Sequence, residues 1–160
     1  MELSIIIPVC NVEQYIGPCL ESLYRQDLCD DVFEVIVVND GSTDDSMEVI
    51  KGIMSRHHNI HIINQENAGP SVSRNAGMEL ATGEYVLFVD SDDLLMDNGL
   101  SVLLQKANET SADMIVPDYI RMNDNEITSQ YDARLTDSLI LSKTGYDYYV
   151  DDYNPNMGSF

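Results

Sequence analysis

The sequence predicts an α/β domain: a mostly parallel central sheet, three-layered and Rossmann-like, with helices on both faces. Three observations carry that expectation. Short apolar runs alternate with segments of helical periodicity, giving four β-α units in succession. Runs such as SIIIPV and FEVIVV are continuous, as expected for strands covered on both faces. Polar, turn-forming clusters follow four of the runs, where the chain would leave each strand.

The first strand is expected over 4–9 (SIIIPV). Asn11 is then placed to cap a helix whose apolar stripe is Ile16, Leu20 and Leu23. Gly17 and Pro18 interrupt its first turns, and because proline lacks an N–H the main helix is expected from about Pro18. VFEVIVVN (32–39) reads as the second strand. Ser42 followed by Asp45 suggests a capping box opening a helix through Val49, Ile50 and Ile53. NIHIIN (59–64) is the third strand, and the loop QENAGPS leads to a helix over about 72–81 that Thr82-Gly83 ends. A fourth strand follows at 85–89, a helix with Leu100, Leu103 and Leu104 at 98–108, and a fifth strand at 112–121. Beyond Met122 the text turns polar, with a strand expected at 126–131 and a helix after Lys143; the last ten residues read as loop. The core is accordingly expected over 1–121 and a second region over 122–160.

A chain of 160 residues suffices for one domain with a core, and its 44% apolar content argues for a folded protein. The formal net charge is −20, and it is not a tail. Residues 1–80 carry 13 acids against 4 Lys/Arg, and residues 81–160 carry 15 against 4. Nucleic acid is therefore not an expected partner, since phosphate contacts need basic side chains. An anionic ligand would need an accompanying cation. Cys10, Cys19 and Cys29 lack metal-ligand spacing and are expected as reduced, buried small hydrophobes. No run of 18 apolar residues predicts a transmembrane helix, and the N-terminus lacks the basic start of a signal peptide. A cytoplasmic location is the simplest expectation.

Doubly wound sheets bind ligands beyond the carboxyl ends of their strands. Four polar clusters are expected there: PVCN, NDGSTDD, QENAGPSVSRN and DSDD. In YVLFVDSDDLL an apolar run ends in Asp90, Asp92 and Asp93. Like charges so close raise one another's pKa values unless something positive sits among them. The cluster offers hard oxygen ligands for Mg²⁺ or Mn²⁺, Asp92 directly and Asp90 as a second arm or a ribose contact. Asp93 fits a turn or cap. A solvated acidic loop is the competing account of DSDD taken alone. Asp40 can accept a base N–H beside Gly41, which lets the backbone approach a ligand, although Asp-Gly-Ser is ordinary turn chemistry too. Asp44 and Asp45 suit a helix N-terminus. Arg74 has Asp40, Asp90 and a pyrophosphate as partners open to it. Asn67-Ala68-Gly69 is a permissive loop, and His57, His58 and His61 are expected at the surface. The usual glycine-rich phosphate loops, Walker A and G-x-G-x-x-G, are absent.

Taken together, SIIIPVCNVEQYI, FEVIVVNDGSTDDS and NQENAGPSVSRNAGMELATGEYVLFVDSDDLL resemble the nucleotide-sugar-binding half of a family 2 glycosyltransferase of the GT-A fold, over roughly residues 2–96. The resemblance implies a nucleoside-diphosphate-sugar donor, most often UDP-linked, one Mn²⁺ or Mg²⁺, and a saccharide or lipid-linked saccharide acceptor. It also implies mostly inverting chemistry and peripheral membrane association of a longer enzyme. Pro8 and Val9 would line the base pocket, Asp40 would bind the base, and Arg74 would sit near the nucleotide. Asp90-Ser91-Asp92 matches the D-x-D motif. With Asn67 and Gly69 of the permissive loop, these form the expected nucleotide-binding set, Asp92 and Asp90 holding the metal. Asn39 stands where the family often has Asp. Asp113, Asp118 and Asp124 are within reach as a catalytic base, but no motif surrounds them and none is assigned.

A haloacid-dehalogenase-like phosphatase also ends a strand in D-x-D, but it leaves PVCN and NDGSTDD unexplained. A calcium loop fails because Leu94 stands where an oxygen ligand is required. A non-catalytic nucleotide-sugar-binding module is the remaining alternative.

Overall fold

The computed structural model describes residues 1–110, 112–117, 120–123 and 126–130. Two compact units divide the chain, residues 1–101 and 102–160. In the first, β1 (Leu3–Val9), α1 (Ile16–Leu23), β2 (Phe33–Asp40), α2 (Ser46–Met54), β3 (Ile60–Gln65), α3 (Pro70–Leu80) and β4 (Tyr85–Phe88) follow in order. The four strands make one parallel sheet in the order β3-β2-β1-β4. The expected α/β arrangement is present.

The strand order explains where ligands can go. From β1 the chain steps outward to β2 and β3, then returns across both to reach β4 on the far side of β1. Crossovers between parallel strands are right-handed, so that change of direction moves the connecting helix to the opposite face. Helix α3 accordingly packs on Ile6 of β1, within a cluster of Ile6, Ile36, Val38 and Ala76. Ile5, Ile7, Val35 and Val37 alternate to the other face and are fully buried as well. That face belongs to α1 and α2, which meet at Gly17 and Val49. The reversal leaves a crevice at the carboxyl ends of β1 and β4.

Several boundaries differ from expectation for identifiable reasons. Helix α1 begins at Ile16, not near Pro18, because a proline in the first turn gives up only an N–H that has no helical partner. Asn11 does not cap it. Its φ is +54°, and its side chain reaches across to Thr43 instead. Nor do Ser42 and Asp45 form a capping box: α2 starts at Ser46, with Asp45 making no side-chain cap. The Asp44 carboxylate accepts the Ser46 N–H at 3.0 Å, as an acid at a helix N-terminus should. Only Cys19 is buried, while Cys10 and Cys29 are exposed. His57 is no simple surface residue: it stacks on Tyr24 with ring centroids 3.5 Å apart and pairs with Asp30 at 3.1 Å. His58 and His61 are exposed as expected.

The second unit holds most of α4 (Gly99–Thr110) and an antiparallel pair, β5 (Ile120–Asn123) with β6 (Glu126–Gln130). The fifth strand expected over 112–121 is thus shorter and later. Residues 112–117 carry no regular structure, and Pro117 offers no donor to a ladder. The expected strand at 126–131 is β6. The helix after Lys143 and the terminal loop lie outside the described residues, as do Asp118 and Asp124; Asp113 is described and exposed. Among the described residues, no helix is long and apolar enough to cross a membrane.

At the sheet end opposite the crevice, Glu34 is buried and accepts hydrogen bonds from Ser4 Oγ (2.7 Å), Thr82 N–H (2.8 Å) and Thr82 Oγ1 (2.7 Å). Burial opposes its charge, but the bonds from Ser4 and Thr82, helped by His61, hold its carboxyl below the ordinary value. A depressed folded-state pKa contributes stability above the unfolded value, lost as pH falls through the folded one. Glu34→Gln keeps the shape and removes the charge. Urea unfolding at pH 7 should show a loss of about 1–2 kcal/mol, shrinking as pH falls below about 4.3. An unchanged midpoint at both pH values would refute the account.

Candidate functional site

At the crevice, one pocket of about 370 Å³ is lined by Pro8, Val9 and Cys10 at the end of β1, Asp40 at the end of β2, and Asp90, Ser91 and Asp92 beyond β4. Pro70, Ser73 and Arg74 from the first turns of α3 complete it. This volume falls within the small-molecule range of roughly 300–1,000 Å³. Helix α3 opens on Gly69 (φ +91°) and Pro70 at its first turn, so its N-terminal end borders the cavity. Such an end favours anions.

Asp40 is buried beside the cavity, its side chain held on three sides. Oδ1 accepts the Gln65 Nε2 amide at 2.7 Å and the Ala68 N–H at 2.8 Å; Oδ2 accepts the Gly69 N–H at 2.8 Å. The Gln65 bond foremost, then the Ala68 N–H, outweigh burial and hold this carboxyl below its ordinary range. Asp40 is therefore an anion at neutral pH, with acceptor capacity left on Oδ2. Gly41 makes the arrangement possible. Its φ is +74°, and a Cβ there would stand 3.0 Å from the Asn67 nitrogen.

Across the pocket, Arg74 Nη2 meets Asp90 Oδ1 at 2.6 Å. This supplies the positive charge that the acidic cluster requires, although a pair this exposed adds little stability. The Asp93 N–H closes a turn onto the Asp90 carbonyl at 3.0 Å. Partial burial, then Asp92 and Asp90, push the Asp93 carboxyl above its ordinary value. Beneath the turn, Cys19 Sγ lies 3.7 Å from the Asp90 carbonyl oxygen. Burial and then the three carboxylates push its thiol up to about 12, so it is no nucleophile.

The loops after β1 and β2 are clipped together. The Asn11 N–H donates to Ser42 Oγ at 3.2 Å, the Thr43 N–H to Asn11 Oδ1 at 2.8 Å, and the Val12 N–H to Ser46 Oγ at 2.9 Å. Asn39 uses both ends of its amide, donating to Asn64 Oδ1 at 2.9 Å and accepting the Ser42 N–H at 3.0 Å.

Of the residues singled out from sequence, Pro8, Val9, Asp40, Arg74, Asp90, Ser91 and Asp92 share this one pocket. Asn67 and Gly69 do not line it. Asn67 donates to Cys10 Sγ at 3.3 Å, and Gly69 serves Asp40 through its N–H. Arg74 pairs with Asp90, one of the three partners open to it. Cys10, Pro70 and Ser73 line the pocket and Gln65 supports Asp40 without having been expected there: Cys10 was expected to be buried, Pro70 and Ser73 enter with the first turn of α3, and the contact of Gln65 depends on strand register. No group of three or more His, Cys, Asp or Glu side chains able to hold a metal occurs among the described residues. Asp90 and Asp92 do fit a cation that arrives with phosphate oxygens, because Mg²⁺-type sites use one or two carboxylates plus substrate phosphates.

Comparison with known proteins agrees with this fold. Glycosyltransferase GlyA of Streptococcus pneumoniae is 42% identical over 125 residues, which is 78% of this chain and 18% of the relative. The chain spans only 18%, 41% and 32% of the lengths of three curated relatives that it matches. Crystalline Staphylococcus aureus TarS 1-349 in complex with UDP superposes with a TM-score of 0.67 at 36% identity, over 71% of this chain and 34% of that one. The mannosyltransferase PcManGT from Pyrobaculum calidifontis, in complex with GDP-Man and Mn²⁺, gives 0.60 at 27% identity, over 66% and 31%. Both share the parallel sheet and flanking helices of the expected GT-A fold. The family model for glycosyl transferase family 2 matches residues 4–155, a span that takes in every strand end framing the pocket, and the chain belongs to that family.

Proposed function

We propose that the chain carries the donor-binding part of a metal-dependent, inverting glycosyltransferase. It would take a sugar from a nucleoside diphosphate, UDP by preference, to the hydroxyl of a saccharide or lipid-linked saccharide. The observation that carries this reading is the gathering of Asp40, Arg74, Asp90 and Asp92 into one pocket at the sheet's reversal point. The donor core would run over 1–121, with an acceptor side beginning in 122–160.

In this reading Pro8 and Val9 supply the apolar wall for the base, and the ionised Asp40 accepts a base N–H. Arg74 and the N-terminal end of α3 face the diphosphate, an anion that an otherwise acidic chain would repel. Asp92, with Asp90 beside it, would hold Mn²⁺ or Mg²⁺ among the phosphate oxygens. When bound, the ion would offset charge on the diphosphate leaving group. TarS and PcManGT, observed with UDP and with GDP-Man and Mn²⁺, support these choices by likeness.

Calorimetry with UDP, GDP and dTDP, each with and without Mn²⁺, tests the reading. UDP should bind best, and Mn²⁺ should tighten it by about tenfold, or 1.4 kcal/mol. Absence of binding by all three in Mn²⁺ would overturn it.

A further inference from the structure

We infer that Gln65 is a positioning residue for the nucleobase, acting through Asp40 and not through the ligand itself. The inference rests on the donor reading above and adds to it the device that orients its base contact. Asp40 and Gln65 are register partners at the ends of the parallel strands β2 and β3. Side chains at paired positions of neighbouring parallel strands leave the same face, so the two emerge side by side. Gln65 Nε2 donates to Asp40 Oδ1 at 2.7 Å and also lies 3.2 Å from Ser73 Oγ, on the helix that carries Arg74. The orientation of this amide is fixed by chemistry, because a carboxylate can only accept.

What the bond accomplishes follows from counting acceptor positions. Each carboxylate oxygen takes about two hydrogen bonds. Oδ1 has its two, from Gln65 and from the Ala68 N–H; Oδ2 has one, from the Gly69 N–H, while the Ser73 hydroxyl beside the carboxylate gives its one proton to the Gly69 carbonyl. The open acceptor position is thereby restricted to Oδ2. A uracil ring offers one N–H donor between two carbonyl acceptors, and a single, fixed acceptor suits it. Without Gln65, Oδ1 regains a free lone pair, so a base finds two open acceptor positions instead of one, on a carboxylate held by the Ala68 and Gly69 N–H groups alone, and ordering it costs affinity. Ala68 and Gly69 still hold Asp40, so the fold should survive the change. Ser73 keeps its own bond to the Gly69 carbonyl at 3.1 Å, which leaves the start of α3 in place.

The test is a double-mutant cycle on the full chain, read by UDP affinity in Mn²⁺ so that phosphate contacts keep weak variants measurable. Gln65→Ala should weaken UDP by about tenfold while the melting temperature stays within about 3 °C. In an Asp40→Asn background the same change should cost less than about twofold. Gln65→Glu, which sets a second carboxylate against Oδ1, should bind UDP more weakly than Gln65→Ala. It serves as the second variant should Asp40→Asn not fold. Equal costs of Gln65→Ala in both backgrounds, no cost in the wild type, or wild-type affinity in Gln65→Glu would overturn the positioning role alone. Failure of the wild-type chain to bind UDP would overturn the donor reading, and the role of Gln65 with it.

Discussion

Asp92→Ala should lower UDP affinity in Mn²⁺ by on the order of 100-fold, about 2.7 kcal/mol, while leaving affinity in EDTA almost unchanged. The prediction follows from the uneven environments of the three carboxylates beyond β4. Asp90 already has a partner in Arg74 at 2.6 Å, and Asp93, though exposed, does not line the pocket. Asp92 is exposed and lines the pocket. It is the member of the cluster with the most to offer a cation. The same substitution should not harm the fold. After partial burial, Asp92 is the larger charge raising the Asp93 carboxyl. A group whose folded-state pKa is raised contributes stability at low pH that disappears as pH rises through that value. Removing Asp92 relaxes the shift, so the melting temperature at pH 7 should be equal to or above that of the wild type. Lost Mn²⁺ dependence with retained or improved stability separates a ligand-holding carboxylate from a structural one. Equal loss in EDTA would assign Asp92 to the nucleotide and not to a metal.

Much of this geometry was legible because parallel strands announce themselves. A strand covered on both faces must be apolar throughout, so polarity returns at its end, and in this fold those ends meet at one place. Asp40, Arg74 and Asp90 lie far apart in sequence but could be read as neighbours for that reason. What stayed hidden depends on partners that no local pattern encodes. Asn11 looks like a cap until Thr43, 32 residues away, takes its carbonyl oxygen. Ser42 fails as a cap because Asn11 and Asn39 engage it first. Gln65 gains its contact only through the register that sets it opposite Asp40. The fifth strand was misplaced because the apolar text of 112–116 outweighed the proline that follows it.

Gly83→Ala should destabilise the first unit by about 3–4 kcal/mol, from steric conflict with the backbone of β1. A Cβ at position 83 would sit 2.6 Å from the Ser4 nitrogen and 2.7 Å from the Leu3 carbonyl carbon. Neither atom can yield easily. Leu3 and Ser4 are paired on one side with Phe33 and Glu34 of β2, and on the other with Tyr85 and Val86 of β4. The glycine N–H also donates to Ser4 Oγ at 2.8 Å, and Ser4 in turn donates to the buried Glu34. Displacement of residue 83 therefore strains the carboxylate network as well as the sheet. Gly77→Ala meets the Cγ2 methyl of the fully buried, β-branched Ile6 and should destabilise too, but by less than Gly83→Ala because alanine gains about 1 kcal/mol of helix propensity there. Gly52 provides the control. It lies in α2 with nothing within 4 Å of its missing Cβ, so alanine there should stabilise by about 0.5–1 kcal/mol through helix propensity. Thermal melts of the three variants should rank Gly83→Ala lowest, by about 10 °C or more, then Gly77→Ala, with Gly52→Ala at or above the wild type. A Gly83→Ala melt within about 2 °C of the wild type would show that β1 and the turn before β4 are not packed this closely.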